Sequence, residues 1–192
     1  MSPILGIIAS QNYPRVTNSY ESIATATVGS GGTSSVSFSS IPSTYKHLQI
    51  RWAISTNRAT FSLDNLYITI NDDTGANYSW HALQGNGASA SADGQANSSY
   101  ALGNVLSSSA ASNVFTAGVL DILDYGNTSK NKTLRTLNGF DVNGEISGYG
   151  GFVQLTSGNW RNTNAITKIT FNKQFGSNFI EHSKFALYGI KD

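Results

Sequence analysis

The chain has 192 residues, of which only 12% are Asp, Glu, Lys or Arg, while 39% are hydrophobic and 11% aromatic. Ordinary soluble domains carry about 25% charge; here Ser, Thr, Asn and Gly, roughly two-fifths of the chain, take its place. A formal net charge of +1 gives no electrostatic footprint for nucleic acid or an anionic membrane, and the scarcity of Glu argues against a coiled coil or helical bundle.

The opening stretch from Pro3 to Ala9 is apolar but lacks the basic start of a secretory signal. It reads as a docking arm or strand over residues 1–18; as an arm, Ile4, Leu5, Ile7 and Ile8 would add a strand to a neighbouring subunit. Residues 19–192 then read as one domain, because no composition break or internal repeat divides them.

Period-two alternation runs through that domain and helical periodicity hardly appears. Tyr20 to Val28 is the first predicted strand. Ser30-Gly31-Gly32-Thr33 turns into Ser35 to Ser39, a half-buried strand. In the next strand Leu48, Ile50, Trp52 and Ile54 point one way, with His47, Gln49 and Arg51 opposite. Leu66 to Ile70, the turn cluster Asn71 to Gly75, and Ala76 to Leu83 read as a β-hairpin.

Residues 84–113 break the rhythm. This stretch is rich in Ser, Ala, Gly and Asn and reads as one long loop, a length that is uncommon in compact domains without a function. Its few sizeable apolar side chains, Tyr100, Leu102 and Leu106 among them, look too sparse to hold it, so a neighbouring subunit is expected to contact them. Val114 to Tyr125 is a continuous apolar run, the pattern of a strand covered on both faces at the centre of a sheet. Thr133 to Leu137, Gly151 to Leu155, Ala165 to Phe171 and Lys184 to Ile190 complete the strands. The fold class is therefore all-β, an antiparallel β-sandwich of jelly-roll type with an N-terminal arm and one long loop.

Catalytic chemistry finds little support. With no cysteine, a disulfide, a thiolate metal site and a thiol nucleophile are all excluded. His47, His81 and His182 have no metal-ligand spacing, no G-x-S-x-G elbow occurs, and phosphate-binding glycine motifs are missing. Asp121 and Asp124 are close enough for a glycosidase pair, yet residues three apart on a strand face opposite sides. Asn71 to Gly75 echoes a calcium loop but lacks its bidentate acid, so it reads as a turn. No catalytic residue, metal or cofactor is assigned. Aromatics beside Asn, Asp and Gln suit a shallow glycan site, and Trp80, Tyr149 and Trp160 are the candidates, with core anchoring as the competing role of both tryptophans.

Several strings carry a resemblance: Pro3-Ile-Leu-Gly-Ile-Ile-Ala-Ser10, Ser19-Tyr-Glu-Ser-Ile-Ala-Thr25, Ile41-Pro-Ser-Thr-Tyr-Lys-His-Leu-Gln-Ile-Arg51, Asn77-Tyr-Ser-Trp-His81, Asp121-Ile-Leu-Asp-Tyr125 and Phe185-Ala-Leu-Tyr-Gly-Ile-Lys191. Together they resemble small virion structural proteins of tailed bacteriophages of the marine and cyanobacterial type. The resemblance implies a β-sandwich on the particle exterior, in capsid decoration or a tail fibre. It implies as partners other virion proteins and copies of the chain in a homotrimer or other symmetric assembly. A lectin-like module reading host surface glycans is the alternative expectation. No binding residue carries over from the family.

Overall fold

A computed structural model describes residues 19–143 and 150–191; the arm residues Ile4, Leu5, Ile7 and Ile8, and Tyr149, lie outside the described residues. Among the described residues every regular element is a strand: β1 (Tyr20–Thr27), β2 (Ser35–Phe38), β3 (His47–Ile54), β4 (Leu63–Ile70), β5 (Tyr78–Gly85), β6 (Ala90–Ser98), β7 (Ala101–Leu106), β8 (Thr116–Ile122), β9 (Lys132–Asp141), β10 (Gly151–Trp160), β11 (Ile169–Lys173) and β12 (Lys184–Ile190). They form two antiparallel sheets. The larger runs β1-β12-β3-β8-β9-β10-β5-β6 and the smaller β2-β11-β4-β7. The all-β sandwich is thus observed, with sheets of unequal width.

The apolar core lies between β1, β12, β3 and β8 on one side and β2, β11 and β4 on the other. The alternation of β3 is the clearest cause: Leu48, Ile50, Trp52 and Ile54 are buried, while His47, Gln49, Arg51 and Ala53 lie on the other face. Phe171 of β11 is the hub. Its ring lies 5.0 Å from Phe185, 6.0 Å from Trp52 and 6.4 Å from Phe38, and burying each such side chain contributes about 1.5–3 kcal/mol. Gly118 of β8 makes room for the Trp52 indole, since a Cβ there would land on the ring itself.

Buried polar groups fix the ends of this core. Asp64 is fully buried and accepts from the Thr56 hydroxyl at 3.1 Å and from the backbone N–H groups of Asn65, Phe175 and Gly176 at 2.8, 3.0 and 2.8 Å. Four donors on one carboxylate tie the start of β4 to the segment after β11, which offsets the desolvation of the charge.

Three expectations need correction. First, β4 and β5 do not form a hairpin: β4 pairs with β11 and β7, whereas β5 pairs with β10 and β6. The intervening turn, with Asn71 and Asp72 at φ 52° and 59° and Asp73 N–H bonded to Ile70 O at 2.9 Å, is an arch that carries the chain from one sheet to the other. Second, residues 84–113 are not a loop, because they contain β6 and β7. Neither shows period-two alternation, as β6 is an exposed edge strand and β7 is buried along its whole length. Third, β8 is central in its sheet but covered on one face only: Ala117 and Leu123 are exposed and Val119 is half-buried.

Candidate functional site

The sequence-predicted site residues separate. Trp160, at the end of β10, is 1% exposed and donates its indole N–H to Asp73 Oδ2 at 2.7 Å; it is an anchor of the arch. Trp80 of β5 points inward and packs with Ala82 and Leu102 in a small second cluster, with Tyr67 and Tyr100 against it. The Tyr100 ring stacks on Tyr67 with centroids 3.5 Å apart. Leu106 is fully buried, and its backbone N–H bonds to the Thr116 hydroxyl at 2.6 Å. Tyr100, Leu102 and Leu106 therefore find their contacts inside the same chain, and the expected need for a neighbour to hold this segment falls away.

The two acids weighed as a pair are each engaged by cations. Asp121 accepts from Arg135 and from Gln49, both at 2.8 Å. Asp124 bonds to Lys130 and lies 3.6 Å from His47 Nδ1; Lys130 is the main cause of its lowered pKa.

The larger sheet extends past the smaller, and its half formed by β9, β10 and β5 has an inverted polarity. Thr136, Asn138, Gln154 and Thr156 face inward and are buried, whereas Leu137, Val153, Leu155 and Leu83 face outward and are exposed. The parity of β10 explains this. Phe152 and Trp160 occupy the same inward face as Gln154 and Thr156, so the aromatics at each end fix which side the polar pair must occupy. Sequence reasoning missed these four polar residues; the signal was the shared even parity of large aromatics and polar side chains in one strand.

Two surfaces result. On the inside, β5, β6 and β10 overhang β4 and β7 and leave a cleft of about 490 Å³. Trp80, Tyr100, Asn104 and Gln154 line it. Trp80 Nε1, Asn104 Oδ1 and Gln154 Oε1 are all buried without a hydrogen-bond partner within the protein. Leaving a buried polar group unpaired costs about 1–3 kcal/mol, so three in one cleft are a concentrated departure from the usual satisfaction of buried groups. Burial first, and then the Tyr100 hydroxyl, raise the pKa of Tyr67 beside it, so that phenol is neutral at physiological pH.

On the outside, the register aligns a single apolar row across four strands: Leu83 lies opposite Leu155, Leu155 opposite Leu137, and Leu137 opposite Val119. Leu83, Leu155 and Leu137 are 59%, 45% and 49% exposed. Val153 and Ala117 extend the patch on one side, flanking Gly139. On the other side runs a polar row in register, Gln49, Asp121, Arg135, Ser157 and His81. At the end beyond Val119, Arg51 lies over the Tyr20 and Tyr188 rings at 5.6 and 5.4 Å.

Comparisons of the chain with protein-family models, with curated proteins and with solved structures find no match.

Proposed function

We propose that the chain is a non-enzymatic structural protein of a bacteriophage particle exterior, in capsid decoration or a tail fibre, that packs against copies of itself through the outer face of its larger sheet. The observation that carries this reading is the row Leu83–Leu155–Leu137–Val119. Aligned apolar side chains on a solvent-facing sheet are a liability in a free monomer and a core in an assembly. The patch has the anatomy of an interface, with apolar residues at its centre and the Arg135–Asp121 pair at its rim. Low overall charge supports the same conclusion, since neutral Ser, Thr and Asn do not repel a second copy. The edge strand β6 likewise carries a single charge, Asp93, so its edge is little protected by charge. The setting on a phage particle rests on the resemblance of the strand motifs.

The test is the oligomeric state of the purified chain by sedimentation, beside its incorporation into particles. The native protein is expected to self-associate at micromolar concentration. Leu137→Arg combined with Leu155→Arg should give a folded monomer that no longer incorporates. A native chain that stays monomeric at every concentration, or a double variant that assembles normally, overturns the reading.

A further inference from the structure

We propose that the cleft between β5, β6, β10 and β7 is a binding site for a neutral saccharide. It lies on the opposite face of the larger sheet from the apolar row, so this inference is independent of how the chain assembles.

Three observations point to such a ligand. The first is the set of unpartnered buried groups: one donor, Trp80 Nε1, and two acceptors, Asn104 Oδ1 and Gln154 Oε1, gathered in one cleft. An apolar occupant would leave all three unpaired. The second is the charge of the lining. Asp93 is its one charged side chain among the described residues. An anion would call for Arg or Lys, and a metal ion for several carboxylates or imidazoles. Amides dominate instead, Asn65 and Gln84 together with Asn104 and Gln154. An amide donates and accepts at adjacent atoms, as do the neighbouring hydroxyls of a sugar.

The third is the aromatic wall. The Tyr100 ring borders the cleft and is held by its stack on Tyr67, giving a rigid apolar surface for the C–H face of a pyranose ring. A volume of about 490 Å³ falls in the range of small-molecule sites, about 300–1,000 Å³. Gln154 is further held by donating its amide to Gln84 Oε1 at 3.3 Å, which limits the rotation of the carboxamide that carries the unpartnered oxygen.

The experiment is calorimetric titration of the full chain with neutral oligosaccharides of glucose, galactose, mannose and N-acetylglucosamine, with heparin fragments as the anionic control. At least one neutral oligosaccharide should bind saturably with one site per chain. Trp80→Phe, which keeps a ring but removes the N–H, and Gln154→Met, which keeps length but removes the amide, should each weaken that binding tenfold or more. Leu137→Arg on the opposite face should leave it unchanged. Should a cleft variant fail to fold, the Trp80 indole N–H resonance of the native chain decides: it must shift on saturation with the bound saccharide. The proposal is overturned if no neutral saccharide saturates, if heparin alone binds, if both cleft variants bind as tightly as the native chain, or if the Trp80 resonance stays still.

Discussion

The Trp160 indole N–H donates to Asp73 Oδ2 at 2.7 Å, joining the end of β10 to the arch between β4 and β5. Asp73 also accepts from Asn77 Nδ2 and from the Gly75 N–H, and the Tyr78 hydroxyl donates to its backbone carbonyl at 3.0 Å. Burial pushes the Tyr78 phenol up to about 12, so it remains a donor throughout the neutral range. One carboxylate thereby organises the point where the chain changes sheets.

Trp160→Phe keeps most of the apolar volume and deletes this donor. Hydrogen bonds to charged groups contribute about 1.5–3 kcal/mol, and a loss of about 2 kcal/mol is expected in urea unfolding. Most of it should come from the arch, so hydrogen exchange at Asp73 to Asn77 should speed up more than exchange in β3.

Acid stability follows from the same carboxylate. Burial raises the pKa of Asp73, but the bonds from Trp160, Asn77 and Gly75 outweigh it and leave the group below its ordinary value. A carboxylate lowered in the folded state adds stability above its unfolded pKa, and that stability is lost as pH falls through the folded one. Asp73→Asn is therefore expected to be destabilising at neutral pH. Its deficit should shrink as pH falls below the ordinary carboxylate range, about 4, where the native group becomes protonated. The Lys130-bound Asp124 is shifted in the same direction, but it is present in both proteins and cancels in the comparison. A pH-independent deficit would assign the effect of Asp73 to shape rather than charge.

The turn chemistry of this region was legible in the sequence, while its topology was not. Asn71 and Asp72 take positive φ as short polar side chains do, so a turn was correctly expected. A turn does not say whether the next strand pairs with the last or crosses to the other sheet; that depends on partners far along the chain, β10 for one strand and β11 for the other. Strand β3 was legible because its apolar residues alternate without exception. Strands β6 and β7 were not: the first buries almost nothing, and in the second Gly103 and Asn104 interrupt Leu102, Val105 and Leu106, so no period-two alternation marks it. In the middle of β9 and β10, between the inward-facing Leu134, Phe152 and Trp160, the rule that apolar residues face inward failed, and both candidate surfaces arise from that failure.

Lys132 is fully buried at the start of β9, and its Nζ donates to the carbonyls of Asn127, Lys130 and Thr163 at 2.7, 3.0 and 2.9 Å. Burial lowers its pKa, and the three groups that accept from it are backbone carbonyls. The ammonium acts as a staple for the β8–β9 connection and the segment after β10. Lys132→Met preserves the stem but strips three carbonyls of their donor, and the expected loss is about 3 kcal/mol or more. Chemical denaturation measures it; a loss below about 1 kcal/mol would mean these carbonyls are readily satisfied by solvent.

Thr156 tests the inverted polarity away from the cleft lining. It faces inward at 2% exposure between Ala82 and Thr136, and its hydroxyl has no partner within the protein. Valine has nearly the same shape and removes the unsatisfied group, so Thr156→Val is expected to stabilise the fold by about 1 kcal/mol. Saccharide binding should be unaffected, because Thr156 does not line the cleft. Gln154→Met, its neighbour two residues along the same face, should also raise the melting temperature while weakening binding tenfold or more. Stability and recognition would then separate within one strand: polarity at Gln154 serves a ligand, whereas polarity at Thr156 serves none. A fall in stability for Thr156→Val would show that the hydroxyl has a partner in solution and that the inward polar face is a satisfied network.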